Sequence, residues 1–282
     1  MDERLTLEKR IAAEIASYDG RMAVYADDLR GNVIAIYPDE KFETASTVKT
    51  YILACLFDQV EKGNADLEGM LALKPEHMVE GSGVLCSLEP GLKLRVKDVA
   101  TLMIIVSDNV ATNMMIEYLG KDTVNKCIRK LGCRDTVLHN DIHFDRYRRL
   151  GTTTPRDYAG MFIRLAKKEL ISEAADEAMM SIFRKQHYNS MLTGAFPPYF
   201  LDCEDTGEEE LISVASKSGS MDACRNDGGI ITTPYGSYVL VMMHKEFSDS
   251  IYYPGHPATV FGAKVSRMIL DQYLALEGRF YL

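Results

Sequence analysis

Ser46-Thr47-Val48-Lys49-Thr50-Tyr51-Ile52-Leu53-Ala54-Cys55-Leu56-Phe57 reads as the start of a helix running from about Ser46 to Lys62. It is apolar throughout Tyr51–Phe57, so it belongs inside the molecule. Upstream, Leu5, Leu7, Ile11, Ala12 and Ile15 fit an amphipathic helix over 4–17. Arg21–Asp27 and Val33–Tyr37 read as strands, and the polar turn Asp28-Leu29-Arg30-Gly31-Asn32 makes them a hairpin. Downstream, Val96–Val106, Ala111–Leu119 and Asp122–Leu131 are helical runs. Thr154-Pro155 is a cap followed by a first-turn proline, opening a helix to about Lys168. A further helix runs from near Ser172 to Lys185, and Gly194–Glu210 reads as a surface connection. The pattern then returns to strands at Leu211–Ser216, Asp227–Thr232 and Ser237–His244, with a turn at Thr233-Pro234-Tyr235-Gly236, before a closing helix at Ala258–Leu276.

A helical block between two β-containing ends implies an α/β plus all-α fold: an antiparallel sheet flanked by terminal helices, with an inserted helical domain. In residues, this is a discontinuous α/β domain of 1–43 and 211–282 and an all-α domain of 44–210, with the active site at their interface.

Composition narrows the function. The 282 residues carry a net charge of −9, without the basic footprint of a nucleic-acid binder. No apolar run reaches the roughly 18 residues of a membrane span. The opening Met1-Asp2-Glu3-Arg4 leads into a polar helical pattern rather than a signal peptide, so the expectation is a cytoplasmic protein, or an exported one whose signal has been removed. Cys55, Cys86, Cys127, Cys133, Cys203 and Cys224 show no metal-ligand spacing and read as reduced thiols. The six histidines are scattered, so neither metal nor cofactor is expected. Nothing in the sequence sets an oligomeric state.

Three short motifs occur in order: Ser46-Thr47-Val48-Lys49 opening a helix, Ser107-Asp108-Asn109 between two helices, and Lys217-Ser218-Gly219 ending a strand. Each alone is weak; what raises the signal is their occurrence together in these settings, with residue types suited to acyl transfer. A serine hydroxyl needs a base to take its proton. Three residues apart on a helix, Ser46 and Lys49 project from one face. Lys49 can act as that base only if burial or a second cation disfavours its ammonium, a charge that Lys217 could supply if its strand passes the start of this helix. The helix start adds backbone N–H groups that favour developing negative charge. No G-x-S-x-G elbow points to a Ser-His-Asp hydrolase instead.

In order and layout the motifs resemble those of the class A β-lactamases and the wider penicillin-recognising serine enzymes. Val106-Ser107-Asp108-Asn109-Val110-Ala111-Thr112-Asn113 resembles the family's second-motif segment, and Thr152-Thr153-Thr154-Pro155 the end of its omega loop. The resemblance implies a serine hydrolase forming an acyl-enzyme on Ser46 with a small-molecule partner, a β-lactam or peptide-like amide. It also implies the roles. The N–H groups of Ser46 and Ser220 form an oxyanion hole, Ser107 relays a proton to the leaving nitrogen, and Asn109 positions Lys49 and the substrate amide. Lys217 and Ser218 bind a carboxylate, with Gly219 small to permit close approach. Gly81-Ser82-Gly83-Val84 reads either as an active-site rim, with Ser82 toward substrate, or as a plain turn. Arg225-Asn226-Asp227 either offers a guanidinium to substrate or is a surface turn.

One departure bears on mechanism. Class A enzymes carry an omega-loop glutamate that activates the deacylating water, and His139–Thr154 contains none. Asp145-Arg146-Tyr147 resembles the run before it, which sets Arg148 in its place, and a guanidinium is no base at neutral pH. Asp145, Asp141 and His143 are the remaining candidates, with an Asp145–arginine pair holding the loop as the other reading. This departure implies slow turnover of β-lactams, or a different preferred acyl substrate. A D-Ala-D-Ala-type peptidase or esterase, and a non-catalytic binder of β-lactams or peptidoglycan fragments, are the alternatives.

Overall fold

The computed structural model describes residues 6–146, 149–201, 211–222, 224–253 and 255–281. In chain order the elements are α1 (Leu7–Ile15), β1 (Arg21–Asp27), β2 (Val33–Ile36), β3 (Phe42–Glu43), α2 (Val48–Glu61), β4 (Met70–Ala72), β5 (Lys93–Arg95), α3 (Val96–Ile105) and α4 (Asn109–Leu119). They continue with α5 (Lys121–Lys130), β6 (Val137–Leu138), β7 (Gly151–Thr153), α6 (Pro155–Ala166), α7 (Glu173–Phe183), β8 (Ser213–Ser216), β9 (Gly219–Met221), β10 (Cys224–Thr233), β11 (Gly236–Lys245) and α8 (Pro257–Ala275).

The main sheet runs β2-β1-β11-β10-β8, every pair antiparallel. β8 pairs with one half of β10 and β9 with the other, so this edge is one strand interrupted at Lys217–Ser218. Alternation along the strands sorts side chains to two cores. Ala23, Tyr25, Ile230, Val239, Val241 and Met243 face the helical layer. Met22, Val24, Ile231, Leu240 and Met242 face the layer of α1 and α8. Helix α2 lies inside the helical layer with Val48–Asp58 all buried, as its unbroken apolar run requires. The expected cap forms, Thr154 Oγ1 accepting from Asp157 N at 3.2 Å; the next helix is capped too, Ser172 Oγ accepting from Ala175 N at 3.2 Å.

Two corrections concern the strands. The stretch expected to be purely helical also holds β4–β5 and β6–β7, the latter joined by β3. These strands are two or three residues long, too short to display an alternation. β10 begins at Cys224, so Arg225-Asn226-Asp227 is buried strand rather than surface turn. The Gly194–Glu210 connection is partly internal, with Phe196 buried in the α8 layer, and its acidic end lies outside the described residues.

The α8 layer encloses an unusual group. His244 is fully buried, edge-on to Tyr18 at 5.2 Å between ring centres, with Arg225 as its register partner on β10. Neither ring nitrogen has a hydrogen-bond partner among the described residues. Burial, then the neighbouring His256, pushes its pKa down to about 3. Below about pH 6.5 the unfolded chain therefore binds a proton that the native state refuses, and stability falls as pH falls, by about 1.4 kcal/mol per unit. A His244→Leu variant is expected to lose this slope, its advantage over the parent growing between pH 7 and 5 in urea unfolding. Parallel stability curves over that range would overturn the assignment.

Candidate active site

Ser46 sits half-buried in a 3₁₀ turn, Ala45–Thr47, that runs directly into α2. The residue before it, Ala45, is held at φ +44°. Ser107 is likewise left-handed at φ +52°. Strain of about 1–3 kcal/mol at a non-glycine residue persists only where surroundings enforce it, and here it falls within the second motif and on the residue before the first.

Lys49 is fully buried. Its Nζ donates to the Ser107 carbonyl at 2.6 Å, to Ser107 Oγ at 3.2 Å and to Asn109 Oδ1 at 2.9 Å. Lys217, also fully buried, reaches the same Ser107 Oγ from the other side at 3.1 Å and donates to the Ser218 carbonyl at 2.6 Å. One hydroxyl thus bridges two amines. Burial, then the charge of Lys217, depresses the Lys49 pKa well below the ordinary lysine range, against Asp108, which raises it. Burial lowers Lys217 to about 7, opposed by Asp227. Buried Asp227 is itself pushed up to about 7 by burial, against hydrogen bonds from Leu192 N and Gly228 N and the charge of Lys217.

The β9 edge closes over the serine. A Cβ on Gly219 would stand 2.7 Å from Thr47 N, 2.8 Å from Ser46 N and 2.8 Å from the Thr44 carbonyl. Gly219 is therefore small because two backbones touch here. Ser218 is half-buried and the Ser220 side chain exposed. Ser82 enters through its main chain, its carbonyl accepting from Asn109 N at 3.0 Å, while Glu80 O accepts from Asn109 Nδ2 at 3.2 Å. Asp108 fastens the rest of that rim, accepting from Val84 N at 2.7 Å and Leu85 N at 2.9 Å while capping α4 at Ala111 N. The 81–84 segment is accordingly packed on the second motif.

Arg225 does not face this site. Register places it opposite His244, on the α8 side of the sheet, while its neighbour Asn226 pairs with Met243 on the helical side. Its two terminal nitrogens donate to backbone carbonyls, which corrects the expectation of a substrate contact. The loop candidates make other contacts. His143 Nε2 stands 3.3 Å from an Asp141 oxygen, and the exposed Asp145 carboxylate pairs with Arg146 at 3.8 Å. Among the described residues, Lys49 and Asn109 bond to none of the three. Arg148 lies outside the described residues.

Several supports were not read from the sequence as site residues. Tyr158 OH donates to the Lys217 carbonyl at 2.6 Å. Asn113 holds the loop by Nδ2 to the Ile142 carbonyl at 3.0 Å and by accepting from Ile142 N at 2.8 Å. Glu43 accepts from Leu150 N and Gly151 N at 3.1 and 3.0 Å, tying the loop's end to the approach to Ser46. The signal for Asn113 lay in the quoted second-motif segment; the others depend on distant chain. Among the described residues, no group of three or more His, Cys, Asp or Glu side chains could hold a metal ion.

Fold and geometry together define the class, a class A β-lactamase architecture with the three motifs gathered where sheet meets helical layer. The chain belongs to the β-lactamase enzyme family, whose model matches residues 6–273. The β-lactamase of Bacillus licheniformis is 24% identical over 263 residues, 89% of this chain and 80% of that protein. Similarity to β-lactamase SME-1 of Serratia marcescens, 26% identical, spans 53% of this chain and only half that relative's length. Among solved structures, a β-lactamase of Sphaerobacter thermophilus superposes with a TM-score of 0.82 at 29% identity, covering 96% of this chain and 97% of that one. PBP-A gives 0.82 at 27% identity, with 95% and 96% covered, and a PBP-A variant has been solved as an acyl-enzyme with penicillin G.

Proposed function

We propose that this serine hydrolase is acylated on Ser46 by β-lactams or related amides and releases the acyl group slowly. The observation that carries the reading is the pair of buried amines, Lys49 and Lys217, converging on Ser107 Oγ beside the Ser46 turn. A neutral Lys49 amine accepts the Ser46 proton as Oγ attacks the carbonyl carbon. The oxyanion is held by the N–H groups of Ser46 and Ser220. As the C–N bond breaks, Ser107 passes its proton to the leaving nitrogen and takes one in turn from the Lys49 ammonium, whose Nζ donates to its Oγ. Lys217 and the Ser218 hydroxyl engage a substrate carboxylate.

Hydrolysis of the ester needs a water and a base. Asp141 is paired with His143, Asp145 is directed to solvent, and the residue that Asn113 holds at the loop's inner side, Ile142, has no proton-accepting side chain. The acyl-enzyme of the PBP-A variant with penicillin G supports the substrate class by analogy. Intact-mass spectrometry after mixing with penicillin G is expected to show one adduct, on Ser46, that outlasts the mixing by many minutes. A transient adduct with rapidly accumulating product would overturn slow release. No adduct, with nitrocefin and simple esters untouched, would overturn the β-lactam reading and favour a non-catalytic binder.

A further inference from the structure

Arg225 and Asn226 are adjacent in β10 and point to opposite faces of the sheet, and each fastens a different segment of the Ser46 site. On the α8 side the Arg225 guanidinium, 1% exposed, donates to the Met221 carbonyl, to Cys224 O at 2.9 Å, to Ser250 O at 3.0 Å and to Ile251 O at 3.2 Å. The rings of Phe247 and Tyr252 flank it at 5.3 and 5.5 Å. A planar fork of five N–H donors suits several carbonyls at once. Met221 directly follows Ser220, so the guanidinium ties β9 to the loop after β11. On the other side Asn226 Nδ2 donates to Glu43 O at 2.7 Å and Thr44 O at 3.4 Å, immediately before the left-handed Ala45 and Ser46.

We infer that Arg225 and Asn226 are positioning residues, a two-sided clamp that sets the gap between the Ser46 and Ser220 N–H groups. The inference rests on the reading of those groups as the oxyanion hole. The clamp has a physical reason. β9 is three residues long, at an edge, and separated from β8 by the break at Lys217–Ser218, so its own ladder restrains it weakly. Ala45 holds a strained conformation that relaxes if its anchor is lost. β10, paired on both sides, is the rigid reference, and two neighbouring side chains refer both halves of the hole to it.

Arg225→Lys, Arg225→Met and Asn226→Ala test this, with three readings for each: melting temperature, single-turnover acylation by nitrocefin resolved into pre-covalent Kd and rate, and affinity for a phenylboronic acid. The boronic acid adds Ser46 Oγ to boron without a leaving group, the proton passing to Lys49, and sets an oxygen in the hole. Acylation rate and boronate affinity are expected to fall together by about 10- to 100-fold, less than the 10²–10³ for deleting a donor outright. Pre-covalent Kd is expected to change by about two-fold or less, because the hole binds charge that develops later. Variants that melt lower yet acylate and bind boronate as the parent does, or that lose only pre-covalent affinity, would overturn the clamp. A parent chain that neither acylates nor binds the boronate would instead overturn the underlying reading of Ser46. If Arg225→Met does not fold, the lysine and Asn226 variants decide.

Discussion

A Lys49→Met chain is expected to acylate Ser46 about 10²- to 10⁴-fold more slowly than its parent, the range a positioned general base contributes. Methionine fills the buried lysine track without an amine. What is lost is, among the described residues, the one group bonded to both Ser107 and Asn109, together with the proposed acceptor of the serine proton. The Ser107 carbonyl, held at 2.6 Å, is left without that donor, so a stability loss of about 1–3 kcal/mol accompanies the change and must be measured separately by melting. The pH dependence distinguishes base from prop. Burial, then the charge of Lys217, depresses the Lys49 pKa; as the proposed base it must be unprotonated, so the parent's acylation rate is expected to fall as pH drops through that pKa. Lys217→Ala removes the neighbouring charge, allows the Lys49 pKa to rise, and moves this acid limb to higher pH. Rapid-mix mass spectrometry across pH reads both effects, with Ser46→Ala as the chain that gains no adduct. An unshifted limb in Lys217→Ala, or parent-like acylation in Lys49→Met, would remove Lys49 from the role of base.

Gly219→Ala is expected to have the next largest effect, a loss of about 10²–10³ in acylation rate, comparable to removing one oxyanion donor. The added methyl meets Thr47 N, Ser46 N and Thr44 O, all backbone and all within 2.8 Å. Nothing there can rotate aside. β9 must move outward, and it carries Ser220 with it, widening the hole while Lys49, Ser107 and Lys217 stay in place. Nitrocefin turnover in single-turnover mode and the intact-mass time course measure the loss. Near-parent rates would mean that β9 yields without affecting catalysis.

The buried helix at Ser46, the capped helix at Thr154, the helix near Ser172 and the hairpin at Asp28–Asn32 are all legible in the chain. Their causes are local: an apolar run, a hydroxyl before a first turn, a polar turn between alternating strands. Such features need no knowledge of distant residues. The spacing of Ser46 and Lys49 is legible for the same reason, since one helical turn sets it. By contrast, Cys224-Arg225-Asn226-Asp227-Gly228-Gly229 offers no apolar alternation, and its strand went unread at its start.

What tertiary structure decided follows from that difference. Whether Arg225 meets substrate or staples backbone depends on its pairing with His244, a register set by contacts about twenty residues away. Whether Lys49 is a base depends on complete burial and on Lys217 arriving from a strand that the sequence separates by most of the helical layer. The standing of Asp141, His143 and Asp145 depends on where Asn113 fastens their loop. The sequence by itself determined which groups can do acyl-transfer chemistry and on which elements they sit, because residue type and helical or strand period are local properties. Only the fold decided which of them face one another and in which protonation state, because direction, burial and electrostatic coupling are properties of neighbours that the chain brings together from far apart.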